Sequence, residues 1–114
     1  MVQLTSGIWV AAHIRLCTAR GAFATVVRRG HEEAGVIYVI VRHAPSANHP
    51  TGAQSLFLQE RDADGYLRWQ AAYGDPQAED VVDARLAREA KRDPDLWVIE
   101  IECCDGRGFL DTDR

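Results

Sequence analysis

Residues 96–104 read Leu-Trp-Val-Ile-Glu-Ile-Glu-Cys-Cys, and this stretch decides the fold. Alternate positions on one face stay apolar throughout: Trp97, Ile99, Ile101 and Cys103. The other face starts apolar and ends acidic, with Leu96 and Val98 followed by Glu100 and Glu102. Alternation with a period of two is typical of a β-strand that has one face in the core. The switch on the second face predicts a strand that is covered at its start and reaches water at its end.

Length and composition predict one globular domain spanning residues 1–114. The chain is 46% hydrophobic and 26% charged, which is the usual mix for a soluble domain and too apolar for disorder. Its longest apolar run, residues 36–41, is far too short to cross a bilayer, and the N-terminus has no signal-peptide pattern. Three cysteines are an odd number and do not form a disulfide framework. We therefore expect a cytoplasmic protein with no membrane segment.

The order of elements follows from periodicity and from turn residues. A helical stripe covers residues 7–20, with Ser6 as its cap and Gly21 as its stop. Strands are predicted at residues 22–28, 36–41, 55–60 and 66–71, the last two joined by a hairpin turn. Asp75 and Pro76 are typical of the start of a helix, which we expect to end near Arg92 before the last strand.

This α-β-β-β-β-α-β order predicts an α+β fold, with an antiparallel five-stranded sheet and two helices packed on one face. Four meandering strands alternate in direction, so a fifth strand after a crossover helix runs the same way as the fourth. Placed beside the first strand, it gives the spatial order 5-1-2-3-4. The polar tail after Cys104 is expected to fray.

Charge is distributed unevenly along the chain. Up to Phe57 there are five arginines against two glutamates, together with all four histidines, whereas the remainder has eight basic and fifteen acidic residues. The basic half supplies a candidate site for a phosphate or another anion: Arg28, Arg29, His31, Arg42 and His43. A hairpin between the first two strands would split this set between opposite ends of the sheet, and only the long loop after His43, by folding back, could reunite it. The overall net charge of −4 also counts against nucleic acid.

No motif predicts a metal, a cofactor or a reaction. A zinc site would have to combine His43 and His49 with His31 or Cys17, and the close ligand pairs typical of such sites are absent. The serines lack the nucleophile-elbow pattern. His13 and Cys17 lie one helical turn apart, but on the face predicted to be buried, where a cysteine is usually inert.

The fourth strand is predicted to lie at an edge of the sheet. Its outward face carries Tyr66, Arg68 and Gln70, which we take as a candidate interaction surface. An exposed edge can accept an added strand or a second subunit.

Three stretches together resemble a known family: Ile-Trp-Val at 8–10, Val-Val-Arg-Arg-Gly at 26–30 and Asp-Pro-Asp-Leu-Trp-Val-Ile-Glu-Ile at 93–101. The chain resembles a family of small bacterial proteins known as domain of unknown function 1491. This resemblance spans almost the whole chain and implies a stand-alone cytoplasmic protein. It brings no activity, cofactor or catalytic residue.

We therefore expect a non-catalytic binding module that interacts with a protein partner or with itself. Binding of RNA or a phosphate-rich ligand is the second hypothesis, and a small-molecule enzyme is the third.

Overall fold

The computed structural model describes residues 5–61, 63–65, 67–103 and 106–110. It contains two helices and five strands, in the order that the sequence predicts: α1 (Ser6–Ala19), β1 (Phe23–Arg28), β2 (Ile37–His43), β3 (Ala53–Arg61), β4 (Leu67–Ala71), α2 (Glu79–Arg92) and β5 (Trp97–Glu102). The turn predicted between β3 and β4 is confirmed, because the two strands pair antiparallel and Gly65 adopts a φ of 88°.

The sheet is mixed, so the prediction of an antiparallel sheet is wrong. Its spatial order is β1-β5-β2-β3-β4. β5 pairs antiparallel with β1 and parallel with β2, whereas β2-β3 and β3-β4 are antiparallel. β5 does run in the same direction as β4, as expected. It lies between β1 and β2 instead of outside β1, so β1 and β2 do not form a hairpin.

The two helices pack on opposite faces of the sheet, and the prediction that they share one face is wrong. On one face, Val10 and Cys17 of α1 join a buried cluster with Val39 and Ile99. On the other, Val82 of α2 packs into a second cluster, with neighbours from β2, from β3, from β5 and from the residue just before β5: Tyr38, Ile40, Leu56, Val98 and Leu96. β2 and the first half of β5 are therefore covered on both faces. We call these the α1 face and the α2 face.

β5 changes its surroundings along its length, as its sequence predicts. Val98, near its start, is 3% exposed beneath α2. Glu100 is partly covered and Glu102 is exposed, because α2 does not extend over this end of the strand.

α2 begins at Glu79, three residues later than predicted. Gln77 is extended and exchanges two backbone hydrogen bonds with Gln54, at 2.7 and 2.8 Å. Ala78 is the N-cap and provides no side-chain hydrogen bond. Asp75 is therefore not the cap of this helix, because pairing with the start of β3 keeps the backbone extended beyond Pro76.

α1 begins after Thr5, whose side chain accepts a hydrogen bond from the Ile8 N–H, and it is followed by Gly21 at a φ of 83°. The polar tail after Cys104 does not fray over residues 106–110, the part of it that the structure describes. The Gly108 carbonyl lies 2.8 Å from His13 Nε2, and Phe109 and Leu110 pack against the core on the α1 face. Apolar contact holds these residues although most of the surrounding tail is polar.

Candidate functional site

The connection between β1 and β2 crosses the segment that leads into β5. The connection must cross this segment because it joins β1 to β2, and β5 lies between these two strands. The crossing is close: the His31 N–H donates to the Asp95 carbonyl at 2.8 Å, and Trp97 Nε1–H donates to the His31 carbonyl at 2.7 Å. A Cβ on Gly30 would meet the carbonyl carbon of Leu96 at 2.6 Å. Two of the stretches that carry the family resemblance are thus in direct contact.

This crossing engages the three candidate anion ligands at the end of β1. Arg28 Nη2 donates to the Pro94 carbonyl at 2.9 Å. Arg29 forms an ion pair with Glu32 at 3.2 Å, and its guanidinium lies 5.5 Å from the centre of the Trp97 ring. His31 Nδ1 accepts two backbone N–H groups, from residues 33 and 34. Each side chain therefore already has a partner from the protein itself.

Arg42 and His43 lie at the other end of the sheet. Arg42 pairs with Glu100 at 3.3 Å, and His43 Nε2 lies 2.8 Å from the Ser55 hydroxyl. They line a shallow depression of about 490 Å³ beside Phe23 and Glu102. It opens where the parallel strands β2 and β5 end, which is a frequent place for ligands in α/β sheets.

Strand register sets the separation between these two groups. Arg28 is level with Val98 of β5, whereas Arg42 is level with Glu102. Four residues of strand correspond to about 13 Å at ~3.3 Å per residue. The structure therefore gathers Arg28, Arg29 and His31 at one end of the sheet and places Arg42 and His43 at the other.

His13 and Cys17 are buried together beneath the sheet, as predicted. Burial lowers the pKa of His13 and raises the pKa of the Cys17 thiol, so each group is held in its neutral form. The His13 ring stacks on Trp9, with ring centres 4.5 Å apart. A buried neutral thiol is a poor nucleophile. Within the described ranges, no cluster of three His, Cys, Asp or Glu side chains is placed to hold a metal ion.

β4 lies at an edge of the sheet, as predicted. Arg68 is half-buried and Gln70 is exposed. Both side chains lie on the α2 side, because the intervening Trp69 belongs to the cluster beneath α1. The third candidate, Tyr66, lies outside the described residues.

β1 forms the opposite edge, and its character differs from that of β4. Phe23 is 81% exposed, Val27 is 57% exposed and Val26 is 38% exposed. Residues 23–27 include no charged side chain. The pairing with β5 is irregular between Val26 and Arg28, which makes Val27 a bulge. Protein edges are usually protected by charges or by proline, and among the described residues of β1 the protective features are the bulge at Val27 and the charge of Arg28 at the end of the strand.

Sequence reasoning missed this edge because it placed β1 inside the sheet, between β5 and β2. An uncharged, β-branched run is equally typical of an interior strand. The signal lies elsewhere in the sequence: β5 starts with apolar residues on both faces, and a strand of that kind belongs in the interior.

The fold defines a small α+β protein in which a mixed sheet carries one helix on each face. Its described residues include a sheet edge, residues 23–27 of β1, that carries no charged side chain. A family model described as "Protein of unknown function (DUF1491)" matches residues 4–111, and the chain belongs to this family. This confirms the resemblance found in the sequence.

Solved structures support this assignment. A crystal structure of a DUF1491 family protein from Caulobacter crescentus CB15 is 39% identical to this chain, with a TM-score of 0.81, and the match covers 96% of this chain and 97% of that one. An NMR structure of a DUF1491 family protein from the same organism is 38% identical, with a TM-score of 0.82 and coverages of 98% and 96%. Protein Atu0922 from A. tumefaciens is 28% identical, with a TM-score of 0.78 and coverages of 97% and 95%. No curated protein matches the sequence. Neither helix in the described part of the chain has the length and apolar character needed to cross a membrane.

Proposed function

We propose that this protein is a non-catalytic interaction module of the cytoplasm, and that its docking surface is the edge of β1. The observation that supports this proposal is the uncharged and exposed segment of this edge, residues 23–27. A six-residue strand at the end of the sheet exposes Phe23 and Val27 and carries no charge before Arg28. Backbone groups on such an edge can pair with an added strand, and side chains on its two faces can give specificity.

The edge of β1 is a better candidate than the edge of β4. On β4, Arg68 and Gln70 alternate with the buried Trp69, which is the polar pattern of a protected edge. On β1, an exposed aromatic ring offers the kind of anchor that is common in the centre of protein interfaces.

The alternative of RNA or phosphate binding has weaker support. Its five cationic candidates lie at two ends of the sheet, about 13 Å apart at ~3.3 Å per residue. Several also have partners of opposite charge or backbone acceptors: Arg28, Arg29 and Arg42.

Site-specific photo-crosslinking in growing cells tests the proposal. A benzophenone amino acid replaces Phe23 in one variant and Val81 in a control, since Val81 is 40% exposed but lies on α2. We expect a discrete protein adduct from position 23 and none of the same size from position 81.

Val27→Lys provides a second arm of this test. Its side chain is exposed, so the substitution leaves the fold intact while placing a charge on the edge. Loss of the adduct in V27K supports docking at β1. An adduct unchanged by V27K, or the same adduct from both positions, contradicts the proposal.

A further inference from the structure

The strand that docks on β1 can be inferred from the edge itself. We infer that it is β1 of a second copy of this chain, paired antiparallel with Thr25 opposite its own equivalent. This inference rests on the proposed function and names the partner. It predicts a two-fold dimer in which two five-stranded sheets join into one.

The faces of β1 restrict the register. Ala24 and Val26 lie opposite Ile101 and Ile99 of β5, and therefore on the α1 face. Phe23 and Thr25 lie on the other face, because side chains alternate along a strand. A two-fold axis perpendicular to the sheet keeps each face continuous across the seam, the line along which the β1 strands of the two copies pair. Two residues that pair between the β1 strands of the two copies must then lie on the same face of β1. This condition holds only when one residue lies opposite its equivalent in the second copy.

Centring this register on Thr25 matches the uncharged residues with one another. Ala24 then lies opposite Val26 of the second copy, so that a small side chain meets a larger one. Phe23 lies opposite Val27, which unites the two most exposed apolar side chains of the strand. Thr25 pairs with itself, and paired threonines are favourable across antiparallel strands. Centring on Val26 would instead bring Arg28 and Arg29 into the paired segment.

This arrangement does not bring like charges of the two copies close together. Arg28 falls just outside the matched segment of residues 23–27. On the neighbouring strand β5, Glu100 and Glu102 lie opposite Thr25 and Phe23, one strand further from the second copy. Two β1 strands then separate the β5 strands of the two copies, which places these strands about 14 Å apart at ~4.8 Å per strand. This separation exceeds the screening length of about 8 Å at physiological salt.

The size of the seam predicts weak association. Only residues 23–27 pair, and the bulge that β1 forms at Val27 in its pairing with β5 lies at the end of this segment. Interfaces below the standard size are usually transient. We therefore expect a monomer–dimer equilibrium that shifts with concentration.

Sedimentation equilibrium over a series of concentrations measures this equilibrium with the purified chain alone. We expect the wild type to approach twice its monomer mass at high concentration. Val27→Lys places an ammonium group against Phe23 of the second copy and should weaken association at least about tenfold. The matched control, Val81→Lys, should associate like the wild type. Equal weakening by V27K and V81K would refute pairing at β1.

Cysteine crosslinking tests the register. In a Cys103→Ser, Cys104→Ser background, Thr25→Cys should form a disulfide-linked dimer when diamide is added, because the two thiols lie opposite each other. Phe23→Cys should link much more slowly, because each residue 23 lies about 13 Å from its equivalent at ~3.3 Å per residue along the strand. Faster linkage through position 23 would contradict the register centred on Thr25.

The outcomes separate this inference from the proposed function. A wild type that stays monomeric at every concentration refutes self-pairing. If position 23 still forms an adduct of a different mass in cells, docking at β1 stands with another partner. If no adduct forms in cells, the proposed function fails independently of how the purified chain behaves.

Discussion

Replacing Trp97 by alanine is the sharpest test of how this fold is held together. Trp97 is 2% exposed, lies in the cluster beneath α1, and also donates its Nε1–H to the loop at the His31 carbonyl. A buried tryptophan removes roughly 200 Å² from water. At ~25 cal/mol per Å² this corresponds to about 5 kcal/mol. Partial collapse of the cavity should offset some of this loss, and we expect Trp97→Ala to lower the free energy of unfolding by about 3 to 5 kcal/mol.

Urea denaturation followed by far-UV circular dichroism measures this loss without relying on tryptophan fluorescence. A domain of this length has a total stability of roughly 6 to 17 kcal/mol, so the variant can lose much of its stability. Trp97→Phe keeps one aromatic ring but removes the Nε1–H donor and part of the buried volume, and should cost about 1 to 3 kcal/mol. The control Phe23→Ala removes an aromatic ring that is 81% exposed, and should change the monomer's stability by less than about 0.5 kcal/mol. A loss below about 1 kcal/mol for Trp97→Ala would show that the reasoning is wrong.

Three further predictions concern the crossing loop and the buried pair of α1. Gly30→Ala should lower stability by about 1 to 3 kcal/mol, because its Cβ would meet the Leu96 backbone, whereas Gly74→Ala, in open space, should be nearly neutral in the same urea titration. His13 has a lowered pKa in the folded state, so the unfolded chain takes up its proton first as the pH falls. Stability should therefore be complete above about pH 6.5 and decline below it. Urea titrations over this range should show a weaker decline in His13→Gln, and an identical decline would contradict the burial of the ring. Finally, iodoacetamide followed by peptide mass spectrometry should label Cys17 only when urea unfolds the chain, because the thiol is buried and its pKa is raised. Rapid labelling without urea would overturn this expectation.

The sequence predicts each element well but not how the elements are arranged. All seven elements are where periodicity and turn residues place them, because these signals are local. The clearest boundary error is the start of α2, where Gln77 pairs with Gln54. That contact joins residues far apart in sequence, and no local cap signal reveals it.

The interior position of β5 can be predicted from the sequence. Leu96 and Val98 make its first half apolar on both faces, and β2 shows the same pattern. Two such strands belong side by side in the interior, with cover from both sides. Placing β5 at an edge is inconsistent with this pattern, and so is a single helical layer, because strands that are apolar on both faces need cover on both sides. The strand order also changes the candidate interaction surface from the edge of β4 to the edge of β1, because an interior β5 leaves β1 at the edge of the sheet.

The interior place of β5 also affects how the chain can fold. β5 follows every other strand in sequence, yet it lies between β1 and β2, and residues 29–35 can close over it only once it is present. β2, β3 and β4 are contiguous in sequence and can form a meander early, whereas β1 has no partner strand until β5 is present. Until then, the uncharged residues of β1 are available to any other strand. Long-range pairing of this kind slows folding and exposes intermediates to aggregation. A chain in which β5 is not yet synthesised therefore exposes the uncharged residues of β1 to pairing with other chains.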